Sequence, residues 1–184
     1  MSITAENLDD RVHGDAREQR DPETCAQCVT RKEKRMTITS AQMELRQRRE
    51  ATIREHIDAE NHHDPNRAVA TFSSYRASYD VPSMGEAGQP ADANAVRAMW
   101  VGIITAFPDI HIVPGPLYHG DNHIFVEVRM TGTQQGDFVG IPATGRSFDA
   151  RVACLYEFEE DQLVCERVYF DFAGIMRQLG VLPM

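Results

Sequence analysis

Apolar positions recur every three to four residues up to about residue 107, and every second residue beyond it. Met43 and Leu45, then Ile53 and Ile57, predict a helix that starts with Ser40 as N-cap and runs to about Asn61. His62 and His63 follow, and Asp64-Pro65 then reads as a cap followed by proline at the first helical position. That junction predicts a second helix over 65–72, with Ala68, Val69 and Phe72 turned inward. SYRASYDV over 74–81 alternates as a short strand, and 82–90 is a Gly/Pro loop. A third helix over 92–107 carries Val96, Met99, Trp100, Ile103, Ile104 and Phe107 at spacings of three and four. Pro108 ends it, because proline disfavours helix in the residue before it.

Strands follow. Ile110, Ile112 and Leu117 lie on one that Pro114-Gly115-Pro116 marks as an edge or a bulge. After the turn Gly120-Asp121-Asn122, residues 123–133 put Ile124, Val126, Val128 and Met130 on one face and Phe125, Glu127, Arg129 and Thr131 on the other. Such two-sided alternation belongs to antiparallel sheets. The connection from Gly132 to Arg146 is rich in glycine, but no lysine follows its glycines and no helix begins there, so it is not a phosphate loop. A strand over 147–158 has Phe148, Val152, Cys154, Tyr156 and Phe158 at even positions. After the EEDQ turn, a strand over 163–171 has an odd face of Leu163, Cys165, Arg167, Tyr169 and Asp171. A short helix over 172–179 stops at Gly180. Helices first and a run of antiparallel strands afterwards predict an α+β domain: a cone-shaped curved sheet wrapped around an N-terminal helical layer, with a central cavity.

Residues 1–36 stand apart from this pattern. They are polar, mixed in charge and without apolar periodicity, and are expected to form a disordered or loosely attached tail before a single domain over 37–184. The chain carries 28 acids and 19 bases, of which the tail holds 8 and 7, leaving 20 and 12 in the body. A body that acidic repels phosphate backbones, which argues against nucleic acid as a partner. No apolar run is long enough for a membrane helix and the N-terminus lacks a secretory h-region, so a cytoplasmic protein is expected. Cys25 and Cys28 form a CAQC pair with no second pair or His pair to complete a metal site. Cys154 and Cys165 read as reduced residues within strands. No metal site is expected, and at His62-His63-Asp64 the carboxylate already serves as a cap.

Candidate chemistry gathers at the chain's end. Asp171 lies between Phe170 and Phe172 and directly before a helix, so it is either an N-cap or an acid/base group in apolar company. Burial raises a carboxylate pKa and a guanidinium beside it lowers it, so Arg167, four residues earlier, would set its protonation state. Gln134, His62, His63, Tyr75, Tyr79, Trp100, Glu157 and Tyr169 complete the candidate pocket residues.

AFPDIHI, GTQQGDFVGIPATGR and LVCERVYFDFAGIMRQLG, taken together, resemble the SnoaL-like polyketide cyclase and ester cyclase family, which has the nuclear-transport-factor-2-like fold. The resemblance covers about residues 40–182. It implies an open cone around a cofactor-free cavity, a small apolar carbonyl or polyketide-like substrate, and a homodimer packed through the outer sheet face. It implies ring closure or related isomerase- or lyase-type acid/base chemistry at Asp171; on this chain's own residues, Arg167 or Gln134 is expected to stabilise the oxyanion. Among the candidate pocket residues, His63, Tyr75, Trp100, Glu157 and Tyr169 are the expected substrate contacts. Arg167 stands where many members carry Trp, Gln134 where His is common, and Glu157 near the place of a His that some cyclases pair with their Asp. The alternatives are a non-catalytic small-molecule binding module and an enzyme of epoxide hydrolase or dehydratase type.

Overall fold

The structure is a computed structural model that describes residues 38–183. The Cys25/Cys28 pair and the expected tail lie outside the described residues. Helix α1 (Ser40–Asn61) begins one residue earlier than its sequence signal suggests. Thr39 is the N-cap, and its hydroxyl accepts from the Gln42 N–H while the Gln42 side chain accepts from the Thr39 N–H. Helix α2 (Pro65–Ala70) starts as expected, with the Asp64 carboxylate accepting from the Asn66 and Arg67 N–H groups. Helix α3 (Ala93–Ala106) is capped by Asp92, and the short α4 (Phe172–Gln178) by Asp171. A 3₁₀ segment, Pro82–Gly88, fills most of the expected loop.

The strands β1 (Tyr79–Asp80), β2 (His111–His119), β3 (His123–Thr133), β4 (Ser147–Glu159) and β5 (Gln162–Phe170) form one curved, open sheet in the order β1-β5-β4-β3-β2. All pairings are antiparallel except β1 with β5. The strand expected over 74–81 is thus only two residues long, but it runs parallel to β5 with Tyr79 opposite Glu166 and Asp80 opposite Arg167. Strand β2 lies at the edge and carries a register shift between Pro114 and Leu117, where its prolines donate no ladder bonds.

The concave face is the core. Ile124, Val126 and Val128 of β3 and Val152, Cys154, Tyr156 and Phe158 of β4 are buried there, as their alternation predicts. They meet Ile53 and Ile57 of α1 and Val96 and Trp100 of α3. Arg49 ties α1 to two turns, donating to the Glu160 and Asp121 carbonyls at 2.6 and 2.8 Å with its guanidinium over the Phe158 ring.

Strand β5 departs from the expected alternation. Phe158 pairs with Leu163 but Glu157 pairs with Cys165, so Val164 is an extra residue and a bulge. A one-residue slip exchanges the faces of everything beyond it. Leu163 is in the core, and past the bulge it is the even residues Glu166, Val168 and Phe170 that face inward. The predicted inward set of Arg167, Tyr169 and Asp171 is corrected by this slip.

Candidate functional site

The concave face encloses a cavity of about 90 Å³ with mainly apolar walls, among them Trp100, Phe107, Phe138, Phe148 and Phe170. Four polar side chains interrupt them: Glu60 from α1, Tyr79 from β1, Tyr156 from β4 and Glu166 from β5. Behind them lies His56, one helical turn before Glu60 and fully buried. His56, Glu60, Tyr79 and Glu166 form one hydrogen-bonded network, which strand pairing and helical spacing bring together. Glu166 and Tyr79 are opposite residues of adjacent strands, while His56 and Glu60 share a face of α1 four residues apart.

The proton positions follow from the partners. Thr71 Oγ1 donates to the Ala68 carbonyl at 2.7 Å, and His56 Nδ1 faces those same two oxygens, at 2.7 Å from Thr71 Oγ1 and 3.2 Å from Ala68 O. Nδ1 therefore carries a hydrogen and donates. On the other side of the ring, Nε2 lies 3.0 Å from Glu166 Oε2, 3.2 Å from Glu60 Oε1 and 3.1 Å from the Tyr79 hydroxyl. That hydroxyl gives its own proton to Glu60 Oε1 at 3.0 Å. A nitrogen among two carboxylates and an already donating hydroxyl also has to donate, so the ring is an imidazolium. Electrostatics agree. Burial pulls the His56 pKa down, but the charge of Glu60 and hydrogen bonds to Glu166 and Glu60 outweigh it and push it up to about 10. Burial raises the Glu60 carboxyl, with the Glu166 charge adding to the rise and His56 opposing it. Burial first, then the nearby carboxylates, hold the Tyr79 and Tyr156 phenols well above their usual value and keep them protonated.

Donor atoms of His56, Glu60 and Glu166 lie within 4.8 Å of one another, a spacing a metal ion could bridge. The imidazolium supplies the positive charge that would otherwise fall to a cation. Paired carboxylates at an apolar cavity, one with a raised pKa, can accept a proton from a bound molecule and return it.

Of the residues singled out from the sequence, Trp100 and Tyr79 line the cavity and the others do not. Asp171 is exposed at the start of α4, where its Oδ1 accepts from the Gly174 N–H at 2.8 Å. That geometry is a cap, worth about 0.5–2 kcal/mol. Arg167 does not reach it. On the outer face, Arg167 Nε donates to Glu157 Oε1 at 2.8 Å, and Arg167 also pairs with Asp80, the residue opposite it across the parallel ladder. Tyr169 is exposed on that face. Gln134 is fully buried, but its amide is consumed inside the glycine-rich connection. It donates to the Ile141 carbonyl at 3.1 Å and accepts from Thr144 Oγ1 at 2.9 Å. His63 donates to the Ile110 carbonyl at 2.9 Å, and exposed Tyr75 donates to Glu159 at 2.9 Å. His56, Glu60 and Glu166 were not singled out. The signal for His56 and Glu60 was the spacing Ile53, His56, Ile57, Glu60, which sets two polar residues on an apolar stripe.

Residues 50–179 match the family model of the SnoaL-like polyketide cyclases. The chain belongs to that family. Solved structures of similar fold include IdmH of Streptomyces antibioticus, provisionally described as a polyketide cyclase. It is 22% identical with a TM-score of 0.59, over 72% of this chain and 99% of that one. TsrD of Streptomyces laurentii is 20% identical with a TM-score of 0.64, over 74% and 98%. A phenazine biosynthesis-related protein of Pseudomonas aeruginosa is 17% identical with a TM-score of 0.64, over 77% and 87%. No curated protein matches the chain. The family and the cavity give the SnoaL-like chain a small-molecule, cyclase-type role.

The network makes stability depend on pH in a defined direction. A folded-state pKa raised above the unfolded value of about 6.5 gives stability that is complete below that value and is lost as pH climbs through the folded one. For His56 the loss runs from about 6.5 to about 10, and the raised Glu60 acts in the same direction at lower pH. The urea midpoint is expected to fall as pH rises across the His56 window, and to fall less steeply in His56→Gln. Equal slopes in the two proteins would contradict the assignment.

Proposed function

We propose that this SnoaL-like protein is an enzyme that moves a proton on a small, largely apolar carbonyl compound, with the Glu166 and Glu60 carboxyls as the acid/base pair. The observation that carries the reading is that both line an otherwise apolar cavity and share one imidazolium. An ionised carboxylate in such surroundings takes a proton from the carbon next to a carbonyl more readily than one in water. His56 holds the pair in position without entering the cavity wall, and Tyr79 fixes Glu60 through its hydroxyl. Returning the proton to the same carbon gives exchange, returning it to another gives isomerisation, and attack of the carbanion on a second carbonyl closes a ring. The acid/base role expected for Asp171 passes to Glu166 because Asp171 is outside the cavity wall and occupied as a cap.

We further propose that the protein works as a homodimer through its outer sheet face. Tyr118, Phe125 and Tyr169 are exposed there beside the ion pairs Arg129–Asp149 and Arg151–Glu127. Sedimentation equilibrium should give twice the chain mass of 20.7 kDa, whereas a 20.7 kDa species would contradict the dimer.

The enzymatic reading is tested by incubating the protein with a panel of small aryl and alkyl ketones in deuterated water and following label at the acidic carbon. Glu166→Gln is expected to slow incorporation by about 10²–10⁴-fold, the usual contribution of a positioned acid/base group. Asp171→Ala is expected to cost about 0.5–2 kcal/mol of stability and leave the rate within a few-fold. Tight binding without exchange in the wild type would identify a binding module instead, and full activity in Glu166→Gln would move the chemistry elsewhere.

A further inference from the structure

Met99, Ile103 and Phe138 line the cavity and also line a second hollow, a groove of about 480 Å³ between the 3₁₀ segment, α3 and the glycine-rich connection. A single layer of side chains therefore divides the two, and all three of these residues are half-buried. Met99 and Ile103 lie one turn apart on α3, and Phe138 meets the buried Phe107 edge-on at 5.0 Å. Met84 and Val139 continue the apolar wall of the groove.

Two features of that wall run against local preference. Val139 and Gly140 are the centre of a tight turn, closed by Phe138 and Ile141, which exchange backbone hydrogen bonds at 2.9 and 2.8 Å. Both central residues have positive φ, 44° and 81°, a turn that suits asparagine-glycine and disfavours a β-branched residue. The valine held there is 46% exposed on the groove wall. Gly102, inside α3, lines the same groove, and a Cβ added to it would meet nothing within 4 Å. Glycine weakens a helix interior relative to alanine, and here its missing side chain leaves groove space unfilled.

The size and charge of the two hollows define the occupant. At about 90 Å³ the cavity is smaller than the roughly 150 Å³ that encloses a benzene ring in an engineered core. A larger ligand with one end beside Glu60 and Glu166 must therefore extend out of the cavity, and the groove lies one side-chain layer away. The groove's lining carries Glu86 and Asp137 and, among the described residues, no lysine or arginine, so an anionic group is repelled there. We infer that the groove is the outer half of the binding site and selects an elongated, uncharged ligand, its carbonyl end in the cavity and its apolar chain running past Met99 into the groove. This rests on the proton-transfer reading only for which end lies inside. The groove itself stands on the shared wall, the small cavity and the charge of the lining.

The probes are the straight-chain methyl ketones of five, seven and nine carbons, and a nine-carbon acid that carries the same methyl ketone at its far end, with its methyl ester. In backbone NMR titrations the affinity should rise about three- to fourfold per methylene, and the Val139 and Gly140 signals should move with the nine-carbon ketone. The ester should bind about tenfold more tightly than the acid, and Glu86→Gln combined with Asp137→Asn should narrow that gap. Gly102→Leu fills the groove from a position that gains helix propensity. It is expected to raise the urea midpoint, keep the five-carbon ketone within about twofold and abolish the gain from chain length. Val139→Asn should also raise the midpoint while weakening the nine-carbon ketone about three- to tenfold. Absence of binding, a flat chain-length series, an undiminished series in Gly102→Leu, or equal binding of acid and ester would each overturn the assignment. So would a halved sedimentation mass in Gly102→Leu, which would give the groove to a second copy of the chain. Affinity that rises with chain length without deuterium exchange in the wild type would keep the groove and reject only the proton-transfer reading; exchange with a flat series would do the reverse.

Discussion

Two carboxylates brought out of water against an apolar cavity repel one another and lose their hydration, and this domain meets that cost with one buried imidazolium. His56 Nε2 stands between Glu60 and Glu166 while Nδ1 is anchored to Thr71 and Ala68 at the C-terminal end of α2. Breaking a pair of this kind by removing one partner is strongly destabilising, because the charge left behind remains buried and unpaired. The network therefore serves as a structural joint between α1, α2, β1 and β5 and, at the same time, as a polar patch on the concave face. Position and charge state of the candidate acid/base groups are set by the same contacts that close the helical layer onto the sheet.

The rest of the fold is arranged to deliver those side chains. A two-residue parallel strand is far too short to be stable by itself. It survives between Phe72, bridged to Leu163, and the carbonyl of Ser78, which accepts from Glu166 N–H. Its effect is to set Tyr79 beside Glu166 on the inner face and Asp80 beside Arg167 on the outer one. The bulge at Val164 is the second device, since without the extra residue Glu166 would point to the outer face and Arg167 into the cavity. Trp100 closes the opposite side from α3, whose apolar spacing is regular throughout.

Where local physics was strong, the sequence was enough. Asp64-Pro65 and Asp171 cap the helices they precede, and β3 and β4 bury the faces their alternation marks. The family likewise followed from short motifs carried by the strands and the last helix. Tyr79 and Trp100 were legible as aromatic residues near a pocket. The centre of the site was not, for two physical reasons. Alternation cannot reveal a bulge when Leu163, Val164 and Cys165 are all apolar and all buried, so the inner face of β5 was read one residue out of step. A search for apolar periodicity also passes over His56 and Glu60, although they occupy the buried stripe of α1 with Arg49, Ile53 and Ile57. Asp171 drew attention through its aromatic neighbours, and its actual role was the one already implied by the helix that follows it.

All of this depends on the charge of one ring. Nitrogen-15 NMR of the histidine side chains at pH 8 tests it most directly, with His56→Gln identifying the signal. An imidazolium between two carboxylates should show both ring nitrogens protonated at that pH, well above the usual histidine range, with the signal changing only towards pH 10. A neutral ring at pH 8, with one bare nitrogen, would contradict the account.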